Sequence, residues 1–158
     1  MKNEIERKFF VKQMPDLSGI EPLHYERYFL GRANGTEERI SKINEKFVYE
    51  KKNEISSLER SREKKEISEQ EFNQLKEKSS EAIIRDRYNI GSNPEVAIQI
   101  YHGRFEGLIR AEVEFETEEE AKSFVPLPWM GKEMTNLPIA RDSKLLDLTD
   151  KEFQGYLK

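Results

Sequence analysis

The sequence predicts an α+β chain: an antiparallel meander of about eight strands, closed or nearly closed, with a few helices at its margins. Three observations carry that prediction. Short segments rich in aromatic and β-branched residues recur between brief turn signals such as Asn34-Gly35 and Gly91-Ser92-Asn93-Pro94. Ser/Thr-x-x-Glu quartets, the spacing of a capping box, open the few helical stretches. Charged residues make up 37% of the chain against 35% hydrophobic, with both signs interleaved. That excess calls for a very charged surface or a charged interior cavity. In a barrel alternate residues point inward, so a charged inward set would line a polar tunnel.

The first strand, Met1–Val11, sets the pattern. Glu4, Glu6 and Lys8 fall at alternate positions and share one face, while Ile5, Phe9 and Val11 line the other, with Arg7 out of place. Carboxylates that hold a cation and a lysine that meets phosphate would use such a face. A solvated strand surface would show the same spacing. His24–Leu30, with Tyr25, Tyr28 and Phe29, reads as the second strand. Glu37–Ile43 and Lys46–Lys52 form a hairpin through Asn44-Glu45, and Leu58–Ile67 is a fifth extended segment. Ser68-Glu69-Gln70-Glu71 opens a helix over 69–79, with Phe72 and Leu75 one turn apart. Ala82–Ile90, Val96–Tyr101 and Gly107–Glu116 return to strand character. Thr117-Glu118-Glu119-Glu120 starts a short helix to Phe124 that Pro126 and Pro128 end. Thr149-Asp150-Lys151-Glu152 caps a last helix. Residues 1–158 read as one domain.

Composition narrows the chemistry. The chain has no cysteine, which removes thiolate catalysis and zinc–sulfur sites. His24 and His102 are too few and too far apart in sequence for a histidine metal site. A net charge of −4 offers no basic face for nucleic acid. The start of the chain lacks an apolar leader and no long apolar run follows, so the expected setting is cytoplasmic and away from the membrane.

Glu112 and Glu114 repeat the alternating carboxylates on a strand whose other face is Ala111, Val113 and Phe115. Four converging carboxylates repel one another unless a cation or a proton is shared. Their hard oxygens suit Mg²⁺ or Mn²⁺. Two unrelated acidic strand faces would also account for the spacing. Arg39, Lys51, Lys52, Arg85 and Arg87 are spread over the intervening strands, as many-point contact with a polyphosphate would require.

Glu4-Ile5-Glu6-Arg7-Lys8-Phe9, the Tyr28 region, Arg39, Arg85-Asp86-Arg87-Tyr88, Ala111–Phe115 and Pro128-Trp129-Met130-Gly131-Lys132-Glu133-Met134-Thr135 occur in the order found in one family. Over nearly its whole length the chain resembles the CYTH, or triphosphate tunnel metalloenzyme, family. The resemblance implies an eight-stranded antiparallel β-barrel, or tunnel, that takes a triphosphate or polyphosphate with Mg²⁺ or Mn²⁺. It implies Glu4, Glu6, Glu112 and Glu114 as metal ligands. Lys8, Tyr28, Arg39, Lys52, Arg85, Arg87 and Arg141 become substrate contacts, with Lys8, Arg39 and Arg87 acting in catalysis. Trp129 and Gly131 shape the fold. The chain departs from the family pattern at Ser41, where a second arginine is usual. It departs again at Arg62 and Lys64, where the fifth strand usually carries acids, with Glu63 and Glu66 nearby as substitutes. Ala97 and Gln99 replace a further acidic pair. The implied function is a metal-dependent triphosphate hydrolase, in monomer or homodimer form. A non-catalytic polyphosphate binder, a class IV-type adenylate cyclase and a charged domain without a ligand are the alternatives.

Overall fold

The computed structural model describes residues 2–55, 59–79 and 81–158. These form strands β1 (Lys2–Val11), β2 (Leu23–Ala33), β3 (Thr36–Ile43), β4 (Lys46–Glu54), β5 (Glu59–Ile67), β6 (Ala82–Ser92), β7 (Glu95–His102), β8 (Ile109–Phe115) and β9 (Met130–Glu133). The helices are α1 (Glu69–Lys76), α2 (Glu118–Ser123), α3 (Asp142–Leu145) and α4 (Asp150–Tyr156). Met1 and Leu58, the expected starts of two strands, lie outside the described residues.

One antiparallel sheet runs in the order β5-β4-β3-β2-β6-β7-β8-β1-β9, and β5 pairs again with β1. Eight strands therefore close into a ring, with β9 an added ribbon on β1. The closure depends on how β1 divides its edges. Lys2–Ile5 pair with β5, Ile5–Phe10 with β8, and Phe9 and Val11 with β9. The β2–β3 connection is the two-residue turn that Asn34-Gly35 signals, with φ of 53° and 76° between the paired Ala33 and Thr36.

Apolar side chains pack on the outside and at one end of the ring. Ile5, Phe9, Val96, Ala111, Val113 and Phe115 bury their face under α2 and the Trp129 segment. Ile40, Ile67 and Phe72 join α1 to the outer face of β3 and β5. A third cluster, including Phe29, Ile83, Tyr101, Leu108, Met134, Ile139, Leu145 and Phe153, seats α3 and α4 against the end of the ring. Arg7, out of place in the strand pattern, meets the Glu133 carboxylate at 2.7 Å and donates to the carbonyls of Ala121 and Phe124 at 2.8 and 3.0 Å. The Trp129–Thr135 stretch braces β1: Lys12 N donates to Trp129 O at 2.9 Å and Lys8 N to Thr135 Oγ1 at 2.9 Å.

Some boundaries differ from expectation. The helix foreseen over 69–79 stops at Lys76, because Lys78 N and Ser79 N turn back to Leu75 O and Lys76 O. The late strand is Ile109–Phe115 rather than Gly107–Glu116, since Gly107 sits at a φ of 104° outside strand geometry. Only Thr149 and Glu152 form the full reciprocal capping box; Ser68 and Thr117 each accept one backbone N–H.

Candidate active site: a charged tunnel

The inward face of the ring is charged throughout. Eleven basic and six acidic side chains, with Tyr25, line a narrow cavity of about 70 Å³. The chain carries a net −4, yet this wall carries a formal excess of five positive charges, with every basic side chain counted as protonated. Strand alternation puts them there: Glu4, Glu6 and Lys8 from β1, Glu37 and Arg39 from β3, Glu50 and Lys52 from β4.

Ion pairs knit the wall together. Glu4 lies 2.5 Å from Lys52 and 3.2 Å from Arg62. Glu6 lies 2.7 Å from Arg60 and 3.3 Å from Lys8. Glu112 takes Arg110 at 2.9 Å and Arg87 at 3.2 Å, with Gln99 Nε2 donating at 3.1 Å. Burial opposes ionisation of Glu112, but Arg110 and Lys8 outweigh it and hold its carboxyl well below the usual range. Burial pushes the Lys52 ammonium down to about 7, with Arg39 reinforcing and Glu4 opposing. Lys8 is pushed down to about 8 by burial against the pull of Glu6, and its Nζ donates to Ala140 O at 2.6 Å.

At the inner end Asp142 is a buried counter-anion. Its carboxylate accepts from Arg27 at 3.0 Å, Arg85 at 3.1 Å and the Tyr101 hydroxyl at 2.5 Å, with Arg110 at 3.5 Å. Burial works against its charge, and these arginines still hold it well below the usual aspartate range.

Of the residues expected from the sequence, Glu4, Glu6, Lys8, Arg39, Lys52, Arg85, Arg87, Glu112 and Arg141 line the tunnel. Glu114 is beside it, opposite Glu6 in the β1–β8 register. Tyr28 is a correction. It is on the outward face of β2, its hydroxyl donating to Glu26 at 2.6 Å and its ring against Phe72 of α1. The β2 residues that face inward are Tyr25 and Arg27, and a strict period of two would have found them. Glu63 and Glu66 are exposed and supply no acid to the wall. Glu50, missed in the sequence, does so from the opposite strand, paired with Lys64. In the same way Arg27 is paired with Ser41 across β2–β3 and donates to its hydroxyl at 3.0 Å. Arg60, Arg110 and Asp142 were also missed; alternation from Arg62 and Glu112 reaches the two arginines, whereas nothing local marks Asp142.

Among the described residues three buried side-chain atoms lack a hydrogen-bond partner: Glu4 Oε1, Arg39 Nε and Arg110 Nε. All three belong to tunnel residues. Glu4 Oε1 is close to Lys52 Nζ but outside hydrogen-bond geometry. Glu4 already has its ion pair with Lys52, so what is left open in the buried wall is two guanidinium donors, which match an entering anion. The carboxylate donor type fits Mg²⁺ or Mn²⁺. Crowding fits as well: burial, Glu4 and a hydrogen bond with Glu95 push the Glu114 carboxyl up to about 7. Among the described residues, no three acidic or histidine groups are already gathered as a metal cage. No helix is long and apolar enough to cross a membrane.

A ring of antiparallel strands around a cationic lumen with a carboxylate wall defines a class, the polyanion-binding tunnel. The chain belongs to the CYTH, or triphosphate tunnel metalloenzyme, family. An inorganic triphosphatase of Nitrosomonas europaea is 30% identical over 138 residues, which span 84% of this chain and 89% of that protein. The crystal structure of an inorganic triphosphatase matches with a TM-score of 0.66 at 24% identity, over 92% of this chain and 95% of the other. A conserved hypothetical protein from Pyrococcus furiosus has the same fold, with a TM-score of 0.58 at 16% identity over 94% and 93%. No protein-family model matches the chain. Triphosphatases of this fold are metal-dependent in general.

Proposed function

We propose that this chain hydrolyses the terminal phosphoryl group of a triphosphate, inorganic tripolyphosphate or an organic triphosphate, with Mg²⁺ or Mn²⁺. The observation that carries the reading is the excess of five positive charges on the tunnel wall of a net-negative chain. Fully ionised tripolyphosphate carries an equal and opposite charge. The 30% identical inorganic triphosphatase adds independent support.

Glu4, Glu6, Glu112 and Glu114 are the residues that would hold the metal, which when bound supplies charge neutralisation at the phosphoryl oxygens. Arg39, Arg85, Arg87 and Lys52, joined by Arg27, Arg60 and Arg110, grip the phosphate chain and stabilise charge that spreads over the transferring group. Arg39 Nε and Arg110 Nε gain the acceptors they lack. Water attacks the terminal phosphorus, the bond to the bridging oxygen breaks, and phosphate and diphosphate (or an organic diphosphate) leave. Arg141, held by Glu54 at 2.7 Å, guards one mouth. The test is phosphate release from tripolyphosphate and ATP with each metal. Turnover should fall roughly 100-fold or more in Glu4→Ala. Equal turnover in the two proteins would remove the assignment.

One observation favours a second reading, a binder without turnover: Glu4, Glu6 and Glu112 are each neutralised by Lys or Arg. Calorimetry showing tight metal–tripolyphosphate binding with no product would select it.

A further inference from the structure

The tunnel continues past Lys52 and Arg60 into a second cavity of about 210 Å³. This basin is bounded by the Asn34-Gly35 turn on one side and by Ser143 and Lys144 on the other, and it shares Glu37, Lys52, Arg60 and Arg141 with the tunnel. The opposite end of β3 opens differently, into a space of about 530 Å³ with Leu23, Tyr25, Ile43 and Val48 on its wall. The two mouths thus differ in chemistry. One combines Leu23, Tyr25, Ile43 and Val48 with lysines and glutamates, whereas the other has no large apolar side chain and is edged by arginines, lysines and three carboxylates.

The basin's rim carries the cations Arg32, Arg141 and Lys144. Arg32 pairs with Asp147 at 3.0 Å, with side chains 34% and 64% exposed. Arg141 pairs with Glu54 at 2.7 Å, and Lys144 is exposed at the rim. An exposed pair such as Arg32–Asp147 contributes at most about 1 kcal/mol, so Arg32 exchanges that carboxylate cheaply while still donating to the Ser143 carbonyl, whereas Arg141 is held by both Glu54 oxygens. Deeper in, Lys52 and Arg60 face both cavities from buried positions. The lumen between is small, about 70 Å³, beside the spaces of about 210 and 530 Å³ that share its lining residues.

We infer that the basin between the β2–β3 turn and α3 is a subsite for the extra phosphoryl units of a linear polyphosphate longer than three. The inference rests on the proposed phosphate-binding role of the tunnel and extends it to chain length. Phosphoryl units beyond the third leave the lumen between Lys52 and Arg60, take over Arg32 from Asp147 and meet the exposed Lys144. An organic triphosphate would place its carbon-bearing part at the other mouth, beside Leu23, Tyr25, Ile43 and Val48, and would not touch these residues.

The experiment measures binding by calorimetry, with Mg²⁺ present, for tripolyphosphate, ATP and a longer linear polyphosphate of defined length. The proteins are the unaltered chain, Arg32→Ala/Lys144→Ala, and Lys144→Glu, whose exposed position leaves the fold intact. The longer chain is expected to bind the unaltered protein more tightly than tripolyphosphate does. That advantage should shrink roughly 5-fold in both variants, while tripolyphosphate and ATP are unchanged. Tripolyphosphate that binds normally, with the longer chain no tighter or insensitive to both variants, overturns the subsite and leaves the tunnel reading standing. If no phosphate compound binds the unaltered chain, both fall.

Discussion

At Ser41 the arginine that the family pattern leads one to expect is absent, and its charge arrives from across the ladder. Arg27 is the cross-strand partner of Ser41 and donates to it, just as Glu50 is the partner of Lys64. What the lumen needs is a charge at a given height, and either of two paired strands is able to supply it. Asp142 has no such substitute. Removing it leaves Arg27, Arg85 and Arg110 buried around a missing anion, so Asp142→Ala should lose about 3–5 kcal/mol. The check is a fall in the denaturant midpoint at constant slope, partly recovered by tripolyphosphate. Glu114 gives a pH signature. Its carboxyl is held at about 7 against an ordinary 4.5, so the folded protein keeps a proton that the unfolded chain releases. The associated stability is whole below about pH 4.5 and is lost as pH rises through 7. Metal-free Glu114→Gln should therefore melt higher than the unaltered protein at pH 8 and level with it at pH 4.5. Equal melting at pH 8 would show that Glu114 ionises there without penalty.

Among the elements, seven strands of the ring were readable because turn residues and aromatic or β-branched runs are local signals, while the charged, aromatic-free β5 had little periodicity to support it. β9 was not. Its four residues lie among Pro126, Pro128, Trp129 and Gly131, a stretch that reads as loop, and its strand geometry comes from pairing with β1. α3 is four residues long and held by the cluster behind it, which no local pattern reports. Tyr28 was misjudged for a related reason: an aromatic in a strand marks the strand, and only its parity says which face. That outward face is sealed by α1, where Phe72 is 2% exposed and meets Tyr28 and Phe47 at ring separations of 5.9 and 5.0 Å. Phe72→Ala should cost about 3–5 kcal/mol in thermal or denaturant unfolding. Tripolyphosphate affinity should persist at temperatures where the variant stays folded, since Phe72 packs against the outward side chains Tyr28 and Phe47. A parallel loss of affinity there would show that α1 shapes the lumen as well.

For the molecule as a whole, charge separation is the organising fact. A lumen with five surplus positive charges sits inside a chain whose remaining residues are correspondingly acidic. The sequence disclosed the carboxylate and basic alternation, and alternation from Lys52 reaches Glu50, but Asp142 enters only through three-dimensional closure. A ligand that fills this lumen should stabilise the fold by about 2.7 kcal/mol at about 100 times its Kd, visible as a rise in Tm. Sulfate at equal ionic strength should give much less, and equal shifts from both anions would argue for general screening rather than a fitted site. The seam formed by β1 has a kinetic corollary. Ile5 must find Phe115 and Glu4 must find Arg60 before any lumen exists. Closure of the lumen therefore waits on contacts far apart in the sequence, and dehydrating so many ionic groups comes with that step.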